Sequence, residues 1–383
     1  MSDEIVLGSS SALRCKKLMK KSVLTQLRCP DCYGAGRIVL DSGEATSDEV
    51  ITSGILSCEQ CSATFPIVDS IPILLPKALQ YSSSSEVLRG VHWVSSSAEH
   101  VQRFVQSRFE NEDLSRPVIE SSVSQPRHRL VQQKLNQRDF MDIPWDKPYT
   151  RPYQRGRMFE YVGYHALRLA TERFNEDLSS QAVLNVGCGH GFEAEYLANS
   201  CGARELIGTD ISLNSLRAAQ RRARLYGYDM ELVCADIDNL PFVDNSFALA
   251  VCHETVHHLP IPQNAIVEMA RVSRSLMVIN EPVENLIRNA FRAVSHIGRQ
   301  DYETSGNYSY HFLPKDLTAL CRYLGFKEVD TFRFFTTCPQ EPPKFYSWFE
   351  NRLLFWCFRK LLQGANAALG ARMGIKLSCI AKK

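Results

Sequence analysis

Two pairs of cysteines are the first residues whose spacing implies chemistry: Cys29 and Cys32 in LRCPDCYGAG, then Cys58 and Cys61 in LSCEQCSATF, with 25 residues between the pairs. A two-residue gap turns both thiolates of a knuckle toward one ion, and two knuckles complete a tetrahedron. With four protein ligands such a site is closed, so it reads as a structural site for one Zn2+. Four unrelated buried thiols is the plain alternative. A redox role is weaker, because no βαβ pattern surrounds either pair.

A second constellation lies near the middle of the chain. QAVLNV is a short buried strand that runs into Gly187-Cys188-Gly189-His190-Gly191. Glycines there let the backbone turn sharply and approach a ligand, and the following helix, FEAEYLANS, points its N-terminal amides at negative charge. The third glycine of a dinucleotide site would fall one residue later, at Phe192, so the spacing is G-x-G-x-G rather than G-x-G-x-x-G. ELIGTD then ends in Asp210, 23 residues after Gly187, where a carboxylate can accept both hydrogen bonds of a ribose diol. MELVCA leads to Asp236, placed to accept from an adenine amino group between the apolar walls of Ile211 and Ile237. After a fourth strand comes CHETVHH. His257 or His258 has the chemistry of a general base, although either equally suits a helix cap or packing, and His253 and Glu254 lie nearer the strand end, where they would meet a cofactor.

These residues need a frame, and from Gln181 onward apolar runs alternate with helical patterns, the signature of parallel βαβ units and a doubly wound α/β fold. The chain divides into residues 1–80 with the cysteine knuckles, 81–145 as a partly helical linker opening on seven serines in 81–97, and 146–383 as the α/β domain. No internal repeat is present. At 383 residues and 44% hydrophobic composition the chain can bury a sizeable core. With 44 basic against 42 acidic residues, net +2, nothing in the charge balance calls for a stable nucleic-acid partner. MSDEIVLGSS lacks the apolar core of a signal peptide, and no apolar run reaches about 18 residues, which points to a cytoplasmic protein.

Residues 16–79, ending in FPIVDSIPILLPKAL, resemble the zinc-ribbon activator subunits of RNA and protein methyltransferases. The resemblance implies a small β-rich module that pairs with a methyltransferase. Residues 181–282 resemble the S-adenosylmethionine-dependent methyltransferases of ubiquinone and menaquinone biosynthesis, through VLNVGCGHGFEAEYLA, IGTDIS, ADIDNLPFVDNSFALAVCHETVHHL and IVEMARVSRSLMVINEP. That implies a Rossmann-like sheet of seven strands whose final strand is antiparallel, with FKEVDTFRFF and GIKLSCIAKK as its last hairpin, and S-adenosyl-L-methionine as cofactor. The implied cofactor-binding residues are Asn185, Gly187, Cys188, Gly189, Gly191, Asp210, Ile211, Asp236, Ile237 and His253. Asn185 departs from the Asp or Glu usual at its place: an amide can orient water or the methionyl ammonium but offers no countercharge. VSRSLM departs too, lacking the glycine pair before the fifth strand. Enzymes that methylate amino groups often carry N-P-P-Y or D-P-P-Y where this chain has CHET, which favours a small, lipophilic acceptor. An RNA or protein methyltransferase with a fused activator, a non-catalytic cofactor-binding scaffold and a nicotinamide oxidoreductase are the other readings.

Residues 341–372 are an insertion within the last hairpin, dense in apolar residues around 353–358. Because these nearly encircle the helix, the segment is either buried against the domain or an interfacial helix. In the second case Phe355, Trp356 and Phe358 meet a lipophilic acceptor or bilayer, and Arg352, Arg359 and Lys360 meet headgroups.

Overall fold

The computed structural model describes residues 19–32, 36–45, 50–76, 79, 125–142, 156–174, 177–283, 305, 307–334 and 344–383. The serine-rich stretch 81–97 lies outside the described residues. The N-terminal strands β1 (Ile38–Ala45), β2 (Ile51–Cys58), β3 (Thr64–Val68) and β4 (Ile71–Leu74) form an antiparallel meander. Its tightest turn joins β3 to β4 through Asp69 and Ser70, at φ of 52° and 65°. Two successive left-handed residues match the twist of a hairpin, which is why the short polar pair interrupts FPIVDSIPILL.

The second half carries the parallel strands β5 (Ala182–Val186), β6 (Glu205–Asp210), β7 (Glu231–Ala235), β8 (Phe247–His253) and β9 (Ser273–Pro282). β10 (Glu328–Phe334) and β11 (Lys376–Lys382) complete it, with β11 antiparallel to both β9 and β10. The interior strands read as continuous apolar runs because both of their faces are covered. The seven-stranded mixed sheet with an antiparallel last strand is therefore present, and the small N-terminal β-rich module as well. The two are one sheet: the order is β1-β2-β3-β4-β7-β6-β5-β8-β9-β11-β10. β4 lies parallel to β7, with Ile73 opposite Cys234 and Leu74 opposite Ala235.

Packing follows the same continuity. One apolar cluster runs from Leu27, Ile38, Leu56 and Phe65 of the N-terminal module to Phe242 and Phe247 of the α/β domain. Phe242 and Phe247 meet edge to face at 5.0 Å, and full burial of each side chain contributes about 1.5–3 kcal/mol. Polar ties reinforce the joint. Asp69 accepts from Arg217 at 2.6 Å, and the amides of Arg28 and Val243 donate to the carbonyls of Pro241 and Gln26, each at 2.9 Å.

The α-helices of seven or more residues among the described residues are α1 (Gln125–Met141), α2 (Arg157–Gly163), α3 (His165–Phe174), α4 (Phe192–Asn199), α5 (Leu213–Tyr226), α6 (Pro262–Val272), α7 (Pro314–Tyr323) and α8 (Arg352–Ala365). α8 lies in the insertion between β10 and β11. Asn351 caps it, accepting from the amides of Leu353 and Leu354 at 3.0 and 3.2 Å. Phe355, Phe358 and Leu362 pack against the domain core. Trp356 is 50% exposed and Leu361 74%, so the apolar residues that encircle this helix divide between a packed face and an open one. No helix among the described residues is long and apolar enough to cross a membrane.

Candidate functional sites

At the knuckles, Cys29 Sγ lies 3.7 Å from Cys61 Sγ and Cys32 Sγ 3.8 Å from Cys58 Sγ, and all four sulfurs fall within 4.8 Å of one another. A tetrahedron with metal–sulfur bonds of about 2.3 Å has edges of about 3.8 Å, so the four are spaced to share one ion. Gly36 makes this possible: a Cβ there would stand 2.3 Å from Cys58 Sγ. Burial acts to raise the Cys58 thiol, but hydrogen bonds from the Cys61 and Gln60 amides outweigh it and hold the thiol below its ordinary value, which favours the thiolate. The site touches the α/β domain through Pro30, whose carbonyl accepts from Asn239 Nδ2 at 2.6 Å.

The second site is the carboxyl edge of the parallel sheet. β5 delivers the 187–191 loop, whose three glycines have φ of 64°, 49° and 82°. The Cys188 amide donates to the Thr209 carbonyl at 2.8 Å, and the Gly189 amide to Asp210 Oδ2 at 3.0 Å. The other Asp210 oxygen accepts from the Ser212 amide at 2.9 Å, and Ser212 in turn caps α5. Burial raises Asp210 to about 6 in spite of these two amides. Beneath the loop, Asn185 is fully buried, and neither its Oδ1 nor its Nδ2 has a partner among the described residues. A buried amide normally satisfies both atoms, so Asn185 stands out as an unsatisfied polar group at the end of β5.

The ends of β7 and β8 carry the other residues singled out from sequence. Asp236 accepts from Lys134 Nζ at 2.6 Å, and the same ammonium lies 2.7 Å from Asp238. Lys134 belongs to α1, which crosses the strand ends: Gln133 donates to the His258 carbonyl at 3.1 Å, and Asp142, just past α1, accepts from Ser212 Oγ at 2.6 Å. Ile211 is partly buried and Ile237 buried. His253 Nδ1 lies 2.8 Å from Glu193 Oε1, on the first turn of α4. His257 Nδ1 lies 2.5 Å from Glu281 Oε2, and the His257 and His258 rings are 3.9 Å apart. Glu281 is fully buried. Burial acts to raise its carboxyl, but His257 and the amides of Thr255 and Val256 outweigh it and hold the group below the usual range. Glu254, at φ of 51°, pairs with Lys376.

Sequence reasoning did not single out Lys134, Asp142, Glu193 or Glu281. Glu193 and Glu281 stand inside the quoted motifs GHGFEAEYLA and VINEP, and proximity to the glycines was a usable signal for the first. Lys134 and Asp142 sit in a polar stretch with no pattern of its own. A cavity of about 310 Å3 opens on the outer side of α2 and α3, lined among others by Tyr161, His165, Leu169, Phe334 and Leu362. Desolvation and the neighbouring Arg168 guanidinium lower His165 to about 4, so its imidazole is neutral at neutral pH, beside the Arg168–Glu172 ion pair that lines the same cavity.

Residues 183–275 match the family described as methyltransferase domain. A phthiotriol/phenolphthiotriol dimycocerosates methyltransferase of Mycobacterium tuberculosis is 36% identical over 133 residues, covering 35% of this chain and 46% of the relative. A fatty-acid O-methyltransferase of Mycolicibacterium smegmatis is 35% identical over 98 residues, covering 26% of this chain and 35% of the relative. The chain thus spans under half the length of each of these two relatives. Among solved structures, magnesium protoporphyrin IX methyltransferase from Synechocystis PCC 6803 with bound SAH aligns at a TM-score of 0.41 and 15% identity, over 66% of this chain and 99% of that one.

The glycine loop yields a test of its construction. A Cβ at Gly187 would stand 2.2 Å from Thr255 Cγ2, whereas at Gly189 it meets nothing within 4 Å. Both substitutions to Ala incur about 1–2 kcal/mol of left-handed backbone strain, but only Gly187→Ala adds a collision. Thermal unfolding followed by circular dichroism should show a clearly larger loss of Tm for Gly187→Ala than for Gly189→Ala. Equal losses would mean that Thr255 does not hold the loop.

Proposed function

We propose that this chain is an S-adenosyl-L-methionine-dependent methyltransferase acting on a small, lipophilic acceptor. The observation that carries the reading is the 187–191 loop laced to Asp210 over the unsatisfied carboxamide of Asn185. A sulfonium amino acid joined to a nucleoside suits this arrangement. Its ammonium or carboxylate group would meet Asn185, the open side of Gly189 admits its methionyl part past Cys188 and Gly191, and its ribose hydroxyls would donate to Asp210. Asp236, Ile211 and Ile237 lie where an adenine would sit, with Lys134 bound to Asp236 beside them. The match of residues 183–275 to a methyltransferase domain includes every one of these positions except Lys134. The two mycobacterial relatives are named for lipids, which supports the lipophilic acceptor, and the cavity beside α8, whose lining mixes apolar side chains with Arg168, Glu172, Gln363 and Asn366, is its proposed seat. On this reading the protein works in the cytoplasm, whose reducing conditions keep the knuckle thiols available.

Three measurements bear on the proposal. Below about pH 6 the Asp210 carboxyl keeps its proton and offers a ribose one acceptor fewer, so affinity rises as pH rises through that value. Calorimetry with S-adenosylmethionine should show binding about tenfold weaker at pH 5 than at its plateau above pH 7, and Asp210→Ala should bind at least about tenfold more weakly than the parent at pH 7. No binding by the parent at any pH would end the methyltransferase reading, and binding without turnover to S-adenosylhomocysteine would leave a scaffold.

We propose further that the four knuckle cysteines hold one structural Zn2+. Native mass spectrometry should find about one zinc per chain, lost in Cys58→Ser. Because the knuckles share a core with the parallel sheet, that loss should lower the melting temperature of the whole chain. Metal-free protein with an unchanged melting temperature would refute the site.

Residues 341–372 are the proposed membrane contact. Trp348, Leu353, Trp356 and Leu361 are 68%, 68%, 50% and 74% exposed, and α8 carries Arg352, Arg359 and Lys360 without an acidic residue. That pairing suits anionic headgroups over acyl chains. Vesicles rich in phosphatidylglycerol should co-sediment the parent but not Trp356→Ser combined with Leu361→Ser. Equal sedimentation of the two, or self-association of the parent through this face, would reject it.

A further inference from the structure

α1 is mostly polar, and besides the packing of Val131 and Leu135 it is held in place by side-chain hydrogen bonds. Gln133 Nε2 donates to the carbonyls of His258 and Tyr308 at 3.1 and 3.2 Å, and Asn307 Nδ2 donates to the Gln133 carbonyl at 2.8 Å. Arg138, 2% exposed, donates to the Leu79 carbonyl at 3.0 Å. Just past the helix, Asp142 accepts from Ser212 Oγ at 2.6 Å and from the Asn214 amide at 3.3 Å, in the turn that follows Asp210. α1 is thus fixed against the chain beyond the ends of β6 and β8, and Lys134 ties it to the end of β7.

The side chain of Lys134 is 13% exposed, and its ammonium lies 2.6 Å from Asp236 Oδ2 and 2.7 Å from Asp238 Oδ2. Burial acts to lower the ammonium, but the two carboxylates outweigh it and hold the group above its ordinary value, so it stays charged. An ammonium carries three protons. Asp236 and Asp238 take two, and the third has no partner among the described residues. Asp238 Oδ1, on the same cluster, is buried without a partner as well. An ion pair built for stability alone gains nothing from an unused donor and an unused acceptor in a desolvated cluster. A donor beside an acceptor is the complement of adenine, whose amino group stands next to ring nitrogens that carry lone pairs. Hypoxanthine, with a carbonyl oxygen in place of the amino group, would bring no proton to the carboxylates.

We infer that Lys134 is a specificity-determining residue of the proposed cofactor site: with the amino group of the base on Asp236, the Lys134 ammonium donates its remaining proton to a ring nitrogen flanking that amino group, N1 or N7. The inference rests on the methyltransferase reading, which puts the base at Asp236. A base that donates to Asp236 Oδ2 brings the flanking nitrogen beside any other donor on the same oxygen, and Lys134 is such a donor. Lys134 lies outside residues 183–275, so the contact belongs to α1 of this chain and not to the matched domain. Adenine is then read from two sides, by a carboxylate at a strand end and by a cation on a helix laid across it.

The test is calorimetry on the full chain with S-adenosylhomocysteine and its 1-deaza and 7-deaza analogues, in each of which one ring nitrogen is replaced by C–H. The parent should bind at least one of the two analogues about tenfold or more weakly than S-adenosylhomocysteine, the scale of a hydrogen bond lost from a charged donor. Lys134→Met should bind S-adenosylhomocysteine about tenfold more weakly and should no longer distinguish it from that analogue, because the variant and the analogue remove the same bond. Lys134→Met combined with Asp238→Asn removes one charge of each sign. It should behave in the same way, and it covers the case in which the single variant does not fold. A parent indifferent to both analogues, or a Lys134→Met variant that discriminates as the parent does, would overturn the inference. Tighter binding of S-adenosylhomocysteine by Lys134→Met would overturn it too, since the ammonium and the base would then compete for Asp236. In each of these cases the methyltransferase reading stands. A parent that binds no S-adenosylhomocysteine would overturn both.

Discussion

A parallel strand at the border of a sheet leaves a row of amide and carbonyl groups unpaired, and β7 is such a strand. β4 closes that border by running parallel to it, with Leu74 opposite Ala235, one residue before Asp236. The joint places the last strand of the cysteine-bearing module directly beside the strand end that carries Asp236 and Ile237. The knuckle then reaches the same loop from outside, through the Pro30 carbonyl and Asn239, three residues beyond Asp236. Knuckle geometry and strand-end geometry are therefore two ends of one short stretch of structure.

The carboxyl edge concentrates acidic groups, and its order comes from how each is answered. Asp236 and Asp238 share Lys134, Glu193 meets His253, and Glu281 meets His257 and two amides. Asp210 accepts from the backbone amides of Gly189 and Ser212, and burial lifts its carboxyl to about 6. On the proposed function, local stability and ligand affinity are set against each other there: a carboxyl that burial disfavours as an anion is the one proposed to receive the ribose hydroxyls.

Much of this was legible in the residues because the informative motifs are local. C-x-x-C spacing, a glycine loop after an apolar strand and an acid at the next strand end set their own geometry within a few residues. The parallel sheet follows from apolar runs alternating with helical patterns, as it should when both faces are covered. That residues 81–145 are partly helical was read from the sequence, but the placing of α1 was not legible, since its polar sequence has little periodicity and its place depends on partners such as Asp236, 102 residues away from Lys134. The Glu193–His253 pairing spans 60 residues and is likewise a product of the fold. In α8 the density of apolar residues was plain, but a helix apolar on every side does not say which side turns to the protein. Packing of Phe355 and Phe358 decided it.

The joint between β4 and β7 rests on two facing residue pairs, with side-chain ties from Asp69 and the Leu27–Phe242 bridge around it. Two separate chains meeting over such a strand-to-strand contact would associate according to their concentrations. Here both strands belong to one polypeptide, so the encounter is intramolecular, and its local concentration is set by chain length instead of by expression level. Dilution cannot separate the cysteine-bearing module from the sheet it extends, and the two parts are always present one to one.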